Sequence, residues 1–176
     1  SDNYGVMRNV VRQLVQAGHL RIGSIRVFDG VFSSDQRLAG ILDQLRLDGL
    51  PAEPEYHLTI RDVPLEEQGR ERLRQLMKLP EPPTAIICIH DAIAANAIDE
   101  LRKLGKLVPR DVSVFGFDDS FMARTLLLSS VRQPFTEVGK RAVRLLYEKR
   151  FGGDSVRHQE FLPCRIVNRK SVAELL

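Results

Sequence analysis

The fold of this chain is decided by one stretch of sequence, Asp111-Val112-Ser113-Val114-Phe115-Gly116-Phe117-Asp118-Asp119. A short apolar run that breaks abruptly into glycine and paired carboxylates is typical of a buried strand that delivers acidic groups to a sheet edge. In an open parallel sheet, ligands bind beyond the carboxyl ends of the strands. We therefore expect Asp118 to lie where a polar ligand would be recognised.

Helical and strand-like segments alternate on both sides of this stretch. Apolar residues at helical spacing predict helices, and short apolar runs predict strands. The predicted helices cover residues 2–17, 35–49, 65–78, 92–104 and 135–151, and the predicted strands cover 22–28, 57–60, 84–89, 111–119 and 161–167. This alternation predicts a three-layer α/β fold, in which helices cover both faces of a parallel sheet.

The sequence also predicts how the second helix begins and which side of the last helix is buried. We expect Asp35 to cap the second helix, because aspartate is a favoured N-cap residue. On the last helix we expect one apolar side to face inward. Its residues are Val138, Ala142, Val143, Leu145 and Leu146.

The composition is that of an ordinary soluble globular protein, with 176 residues, 43% hydrophobic and 28% charged. The net charge of +3 is mild, and its basic residues are mixed with acidic ones, which argues against a nucleic-acid surface within this chain. No stretch approaches the roughly 20 apolar residues of a membrane helix, and no signal peptide opens the chain. We expect a cytoplasmic protein that does not bind membranes.

Catalysis is not expected. The paired acids Asp118 and Asp119, together with His90, suggest acid–base chemistry, but the sequence offers no nucleophile with a nearby base and no phosphate-binding glycine loop. The two cysteines, Cys88 and Cys164, lack the spacing of a metal site, and Cys88 lies in an apolar run typical of a buried free thiol. We expect neither a metal nor a cofactor.

Short motifs are spread over nearly the whole chain. They are Gly18-His19 with Arg21-Ile22, Arg37-Leu38-Ala39-Gly40, Pro83-Thr84-Ala85-Ile86, His90-Asp91 with Ala94, Val108-Pro109, Asp111-Val112-Ser113-Val114, Gly116-Phe117-Asp118-Asp119, Val131-Arg132-Gln133-Pro134 with Gly139, and Arg169-Lys170-Ser171. In order and spacing they closely resemble the lactose-repressor/galactose-repressor (LacI/GalR) family of transcriptional regulators.

The resemblance implies an effector-binding core of two α/β lobes, like the periplasmic sugar-binding proteins, preceded by an N-terminal helix-turn-helix. Residues 1–133 would then form the C-terminal lobe, residues 134–163 would belong to the N-terminal lobe, and residues 164–176 would return to the C-terminal lobe. The chain starts directly with a helix and looks like a piece of something longer. DNA binding is therefore expected only through a helix-turn-helix outside this chain.

The resemblance also implies a ligand site. Asp118 is similar to the effector-reading aspartate of the family, and a carboxylate there can accept hydrogen bonds from two vicinal hydroxyls; alternatively, it orients a neighbouring loop. Arg37 aligns with an arginine that clamps the ligand, and its fixed fork suits hydroxyl pairs, carboxylates or a purine edge. The alternative for Arg37 is a solvated helix residue. Ser33 is a weaker candidate that could donate to the same ligand.

Three further candidates come from the strand ends and the hinge. His90 stands where many relatives have Asn or a similar polar residue, and it would introduce pH sensitivity; its alternative is a helix cap. Gln133 matches a hinge residue that touches ligand, or it satisfies backbone groups in the hinge. Asp2 contributes from the first hinge or acts as an N-cap. Pro64 falls where relatives often place an aromatic that stacks on the ligand, which weakens the case for a flat aromatic effector.

The sequence thus predicts the effector-sensing domain of a LacI-type regulator. A sugar is the first choice of effector and a nucleoside or purine the second. The alternative is a sugar-binding protein of a transport system, but the Val131–Pro134 hinge and the Arg169–Ser171 tail favour the regulator. A homodimer is also expected, unless the apolar residues fold back onto the lobe's own sheet. Its predicted interface comprises Ala95, Phe121, Met122, Leu126 and Leu127.

Overall fold

The computed structural model describes residues 1–61, 64–151 and 159–175, without the side chains of Lys149 and Phe151. Its helices are α1 (Asn3–Gln16), α2 (Phe32–Leu47), α3 (Leu65–Met77), α4 (Asp91–Lys103), α5 (Phe121–Thr125) and α6 (Phe135–Phe151), with a 3-10 turn at Pro54–Tyr56. Its strands are β1 (Ile22–Val27), β2 (His57–Ile60), β3 (Ala85–Cys88), β4 (Ser113–Phe117), β5 (Ser129–Arg132) and β6 (Arg165–Val167).

The strands form one sheet in the order β2-β1-β3-β4-β5-β6. Strands β1 to β5 pair in parallel, which confirms the predicted α/β fold. Strand β6 is antiparallel to β5, with Arg165 opposite Arg132, so the sheet is mixed rather than purely parallel. The reason is topological, because the chain leaves β5 at the carboxyl edge of the sheet and re-enters at the same edge.

Helices cover both faces of the sheet, and each face has its own core. Successive strand residues point to opposite faces, so Ile86 and Cys88 enter one core while Ala85 and Ile87 enter the other. The first core packs under α3 and α4 and includes Leu73, Leu76, Ile93, Ala97 and Leu101. The second packs under α1 and α2 and includes Val6, Met7, Val10, Leu14, Ile41 and Leu45.

The beginning of α2 differs from the prediction. The helix starts at Phe32, and its N-cap residue is Val31, which makes no side-chain cap hydrogen bond. Asp35 lies in the first turn and accepts a hydrogen bond from Arg26 Nη1 at 2.6 Å. The prediction that Asp35 caps α2 is therefore wrong, because this carboxylate pairs with a β1 side chain and the helix begins three residues earlier.

The apolar side of α6 does not face inward as predicted. Val143 and Leu146 are each 68% exposed, Val138 and Ala142 are exposed as well, and Leu145 is half-buried. The inward-facing prediction is wrong for these residues, because α6 leaves the sheet after Pro134 and no described element covers this side. Separately, none of the helices in residues 1–61, 64–151 and 159–175 has the length and apolarity needed to cross a membrane.

One buried histidine links the fold to pH. His57 Nδ1 lies 2.9 Å from the Ser24 hydroxyl, whereas Nε2 is buried without a hydrogen-bond partner in the described part of the chain. Burial lowers the pKa of His57 to about 4, and the positive charge of Arg46 acts in the same direction. Between about pH 4 and pH 6.5, His57 is therefore mostly neutral in the folded protein and mostly protonated in the unfolded chain.

We predict that the protein loses stability as the pH falls from about 6.5 towards 4, because only the unfolded state gains a proton at His57 in that range. Between pH 7.5 and pH 5 the loss from this residue should be on the order of 2 kcal/mol. Urea unfolding at both pH values measures it. The His57→Phe variant should lose distinctly less than the wild type, and an equal loss in both proteins would contradict the assignment.

Candidate functional site

Three predicted site residues meet at the carboxyl edge of the sheet. His90 follows β3, Asp118 follows β4 and Gln133 follows β5. His90 Nδ1 lies 3.1 Å from Asp118 Oδ2, and Gln133 Nε2 donates to Asp118 Oδ1 at 2.8 Å. The ends of three adjacent parallel strands thus assemble a cluster of polar side chains around one carboxylate.

The backbone of Asp118 has an unusual conformation. Its φ of +112° lies in the region that L residues rarely adopt, and Asp119 follows with φ +50°. The Asp118 N–H donates to the carbonyl of Val131 on the neighbouring strand at 2.8 Å, which helps to hold this conformation. Strain of this kind persists only where the surroundings enforce it, and it is concentrated at functional sites.

An ion-pair cluster around the buried carboxylate of Asp119 adjoins Asp118. Asp119 Oδ2 accepts a hydrogen bond from Arg132 Nε at 2.5 Å, and Oδ1 accepts one from Arg169 Nη2. Burial alone would raise the pKa of Asp119, but the hydrogen bonds and charges of Arg169 and Arg132 hold it below its ordinary value. This cluster connects the ends of β4 and β5 with the segment after β6, and the sequence analysis missed it.

A second buried carboxylate, Asp91, orders the first turn of α4 and the loop after β4. It accepts hydrogen bonds from the Ser130 hydroxyl and the Ser120 N–H, each at 2.7 Å. Burial raises the pKa of Asp91, and these hydrogen bonds offset part of that shift. A Cβ at Gly116 would overlap Asp91 Oδ1, so the glycine allows this close approach. A glycine inside a buried strand was the one sequence signal that could have revealed the contact.

Arg37 supports the site from behind. It is only 4% exposed, which excludes the solvated alternative. Its Nη1 donates to the carbonyl of Ile89 at 2.8 Å, and its guanidinium stacks on the ring of Phe117, 3.6 Å from the centroid. Burial lowers the pKa of Arg37, while the negative charge of Asp118 opposes that shift. Arg37 therefore fixes the residues that immediately precede His90 and Asp118.

The remaining two candidates lie at helix starts. Asp2 Oδ1 accepts from the Gly5 N–H at 2.8 Å, which confirms its alternative role as the N-cap of α1. Ser33 is half-buried in the first turn of α2. The adjacent Ser34 donates to the carbonyl of Val27 at 2.8 Å and anchors the same turn. Ligand contacts from Asp2 and Ser33 stay predictions.

The polar cluster opens into a groove of about 850 Å³. His90 and Asp118 supply its polar end, and its walls come from the starts of α3, α4 and α5. Its other lining residues are mostly apolar and include Val27, Pro64, Leu65, Ile93, Phe121 and Met122. The groove therefore suits a ligand that has both hydrogen-bonding groups and an apolar face.

The groove offers hydrogen-bonding groups, among them those of His90 and Asp118. The thiol of Cys88 is buried in the core, and burial raises its pKa, so it offers no nucleophile to the groove. Across residues 1–61, 64–151 and 159–175, no three His, Cys, Asp or Glu side chains are grouped so as to hold a metal ion. The arrangement can orient and recognise a polar ligand.

Comparison with known proteins also indicates a ligand-binding domain. Residues 11–172 match the family described as periplasmic binding protein-like domain. The chain is 31% identical to the HTH-type transcriptional repressor CytR of Escherichia coli K12 over 99% of its own length and 51% of that protein. It spans about half the length of the curated relatives that it matches.

Solved structures show the same fold. A LacI transcriptional regulator from Bacillus cereus subsp. cytotoxis is 29% identical, with a TM-score of 0.91, over 100% of this chain and 62% of that one. A complex of the transcriptional regulator CelR with cellobiose is 27% identical, with a TM-score of 0.87, over 97% of this chain and 52% of that one. The similar proteins named here are transcriptional regulators rather than enzymes.

We predict that Asp119→Asn lowers the free energy of unfolding by about 2 kcal/mol, because it weakens the charge-assisted hydrogen bonds that Arg132 and Arg169 donate to a fully buried carboxylate. Urea denaturation measures this loss. Glu137→Gln is the matched control, since it removes an exposed pair with Lys140 and should cost less than about 1 kcal/mol. Equal losses in the two variants would show that the buried cluster does not stabilise the strand ends.

Proposed function

Because this chain belongs to the periplasmic binding protein-like domains, and within them to the LacI/GalR family of transcriptional regulators, we propose that it senses a small-molecule effector in the groove at the carboxyl edge of its sheet. The observation that carries the proposal is the convergence of His90, Asp118 and Gln133 from three strand ends. Strand ends of this kind are where open α/β sheets bind ligands.

We divide the chain as the sequence suggested. Residues 1–133 form the C-terminal lobe, residues 134–163 belong to the other lobe, and residues 164–176 return, although 152–158 and 176 lie outside the described residues. Two observations support this division. The apolar side of α6 is exposed, as expected for a helix that packs on another lobe. In addition, the Asp2 N–H donates to the Leu162 carbonyl at 2.8 Å. The segment before α1 and the segment before β6, which would both cross between the lobes, therefore run side by side.

Sensing follows from the position of Gln133. This residue donates a hydrogen bond to Asp118, which lines the groove, and lies two residues before α6, where we propose that the chain crosses to the other lobe. An effector that binds Asp118 more tightly in one arrangement of the lobes shifts the population towards that arrangement. In a regulator, the shift would change how a DNA-binding segment outside this chain is presented.

The groove fits a sugar first and a nucleoside second. Asp118 can accept hydrogen bonds from ligand hydroxyls, and the apolar walls can cover the face of a sugar ring or a base. The cellobiose bound to the similar regulator CelR supports the first choice. Arg37, whose Nε and Nη1 already contact Asn3 and Ile89, acts mainly by positioning the strand ends. Ser33 and Asp2 do not line the groove described above, and a ligand contact from either would come from outside that lining.

A regulator is a better proposal than a transport protein. The fold serves both functions, so the fold alone does not decide between them. The support comes from the named relatives, which are repressors and regulators. A regulator of transcription would act in the bacterial cytoplasm, where its DNA lies.

We also propose a homodimer. Phe121 is 81% exposed, and Met122, Leu126 and Leu127 are each more than 40% exposed, so these residues do not fold back onto the sheet. Ala95 on α4 is half-buried. An apolar surface of this kind fits a self-complementary contact between two copies.

The effector site is tested by ligand-induced thermal shifts of the full-length protein with sugars and nucleosides. A compound that binds the folded state raises the melting temperature, and we expect Asp118→Ala to abolish this rise. Asp111→Ala is the control, since Asp111 lies two residues before β4, at the opposite edge of the sheet from Asp118, and its ligand-induced rise should persist. A rise that survives in Asp118→Ala would place the site elsewhere.

The dimer is tested by sedimentation velocity of the full-length protein. Leu126→Glu should weaken dimerisation by tenfold or more, because it places a charge within the proposed apolar contact and Leu126 does not line the groove. Leu47→Glu is the control, since Leu47 is 68% exposed and lies at the end of α2, outside the proposed interface. If both variants dissociated to the same degree, or if neither dissociated, the proposed interface would be wrong.

A further inference from the structure

We propose that the dimer contact has a charged edge on α3, in which Arg70 of each copy pairs with Glu66 of the partner subunit. A two-fold axis between the copies generates this pair twice. The pairing favours a second copy of this chain over a related chain that lacks either charge. This inference deepens the proposed homodimer and rests on it.

Glu66 and Arg70 adjoin the apolar residues of the proposed dimer contact. Glu66 lies in the first turn of α3 and lines the same groove as Phe121 and Met122. Arg70 lies four residues further along α3, and residues at this spacing share one face of a helix. One face of α3 therefore presents a negative and a positive charge beside the apolar contact.

The guanidinium of Arg70 is incompletely paired within one copy. Its Nη1 lies 3.8 Å from Glu67 Oε2, and its Nη2 lies 3.9 Å from Asp99 Oδ2, and both distances are longer than a hydrogen bond. Its Nε is buried and has no hydrogen-bond partner among the residues that the structure describes. Arginine commonly binds a carboxylate through two parallel hydrogen bonds. Arg70 therefore retains the capacity to bind a further carboxylate.

The carboxylate of Glu66 is exposed and lacks a partner within one copy. It makes no hydrogen bond or ion pair with any residue in 1–61, 64–151 and 159–175. The spacing of Glu66 and Arg70 allows a pair along the helix, but Arg70 is directed towards Glu67 and Asp99 instead. The two opposite charges are therefore available to a second copy of the chain.

The order of the two charges makes this face of α3 self-complementary. When two copies of one helix face pack antiparallel about a two-fold axis, the first position of each copy meets the last position of the other. Glu66 then faces Arg70 of the partner subunit, and Arg70 faces Glu66 of the partner subunit. A parallel arrangement brings like charges together, so the same two residues also select the orientation of the copies.

The alternative is that Arg70 serves only to link α3 to α4 through Asp99 within one copy. Asp99 is already paired on its own helix, because Arg102 Nη2 donates to it at 2.7 Å and Lys103 Nζ lies 2.8 Å from it. A long and partly exposed ion pair contributes little to folding. Mixing subunits separates the two roles, since contacts within one copy are the same in homodimers and in mixed dimers.

Charge-reversed subunits of the full-length protein test the proposal without any effector. Arg70→Glu makes both positions of the face acidic, and Glu66→Arg makes both basic. Each variant alone should dimerise about tenfold more weakly than the wild type, because two attractive pairs become repulsive. In an equimolar mixture, mixed dimers should form with an affinity within about threefold of the wild type. Sedimentation velocity with one variant fluorescently labelled measures each affinity.

The double variant keeps the test independent of folding defects in the single variants. Glu66→Arg and Arg70→Glu together exchange the two charges, which restores both pairs in a homodimer. The double variant should therefore dimerise like the wild type. Weak dimerisation of the double variant, although its circular dichroism matches that of the wild type, would overturn the pairing.

Arg46 and Asp43 supply a matched control. They form an exposed ion pair at 3.2 Å on α2, which covers the opposite face of the sheet from α3. Arg46→Glu and Asp43→Arg change the net charge of the chain as the α3 variants do, but their mixture should show no preference for mixed dimers. An equal preference in this control would show that net charge alone drives the mixing, and it would overturn the pairing.

The remaining outcomes separate this inference from the homodimer on which it rests. If the α3 variants dimerised like the wild type, or if their mixture did not recover the lost affinity, the pairing would be wrong and the homodimer would stand. If the wild-type protein were monomeric at every concentration, the proposed homodimer would fall, and the inference would fall with it.

Discussion

The candidate site depends on the burial of one negative charge, that of Asp119. Its carboxylate is held by Arg132 from the end of β5 and by Arg169 from the segment after β6. A buried, unpaired carboxylate is costly, so these three segments stabilise one another or lose stability together. Asp118 and Gln133 are each next in sequence to a member of this cluster. The ion pairs of Asp119 with Arg132 and Arg169 therefore help to fix the distance between Asp118 and Gln133.

Arg37 and Asp91 hold the end of β3 in place in a similar way, through buried polar contacts. Arg37 ties the backbone before His90 to the ring before Asp118, and Asp91 ties the first turn of α4 to Ser130 on β5. Buried polar groups that find good partners hold side chains in one geometry. The exposed groups of the groove can then recognise a ligand with little reorganisation, which is what a sensor of small differences requires.

Part of this site could be predicted from the sequence, because parallel strands place their carboxyl ends together. His90 and Asp118 each follow a predicted strand, whereas β5, which precedes Gln133, was not predicted from the sequence. The family resemblance marked all three residues as ligand residues. The pairing of Asp119 with Arg169 joins residues 50 positions apart, and local spacing contains no signal for such a contact. The wrong prediction for Asp35 has the same cause, because an aspartate can either cap a helix or pair with an arginine, and the sequence around it does not show which. On α6, periodicity identified the apolar side but could not say what covers it.

The central claim, that an effector binds at the strand ends, is tested most directly by a crystal structure of the full-length protein with its tightest-binding sugar or nucleoside. The account predicts a ligand in the groove, with a hydroxyl within about 3 Å of Asp118 and another polar group near His90. A ligand seated elsewhere, with the His90–Asp118–Gln133 cluster open to solvent, would contradict it.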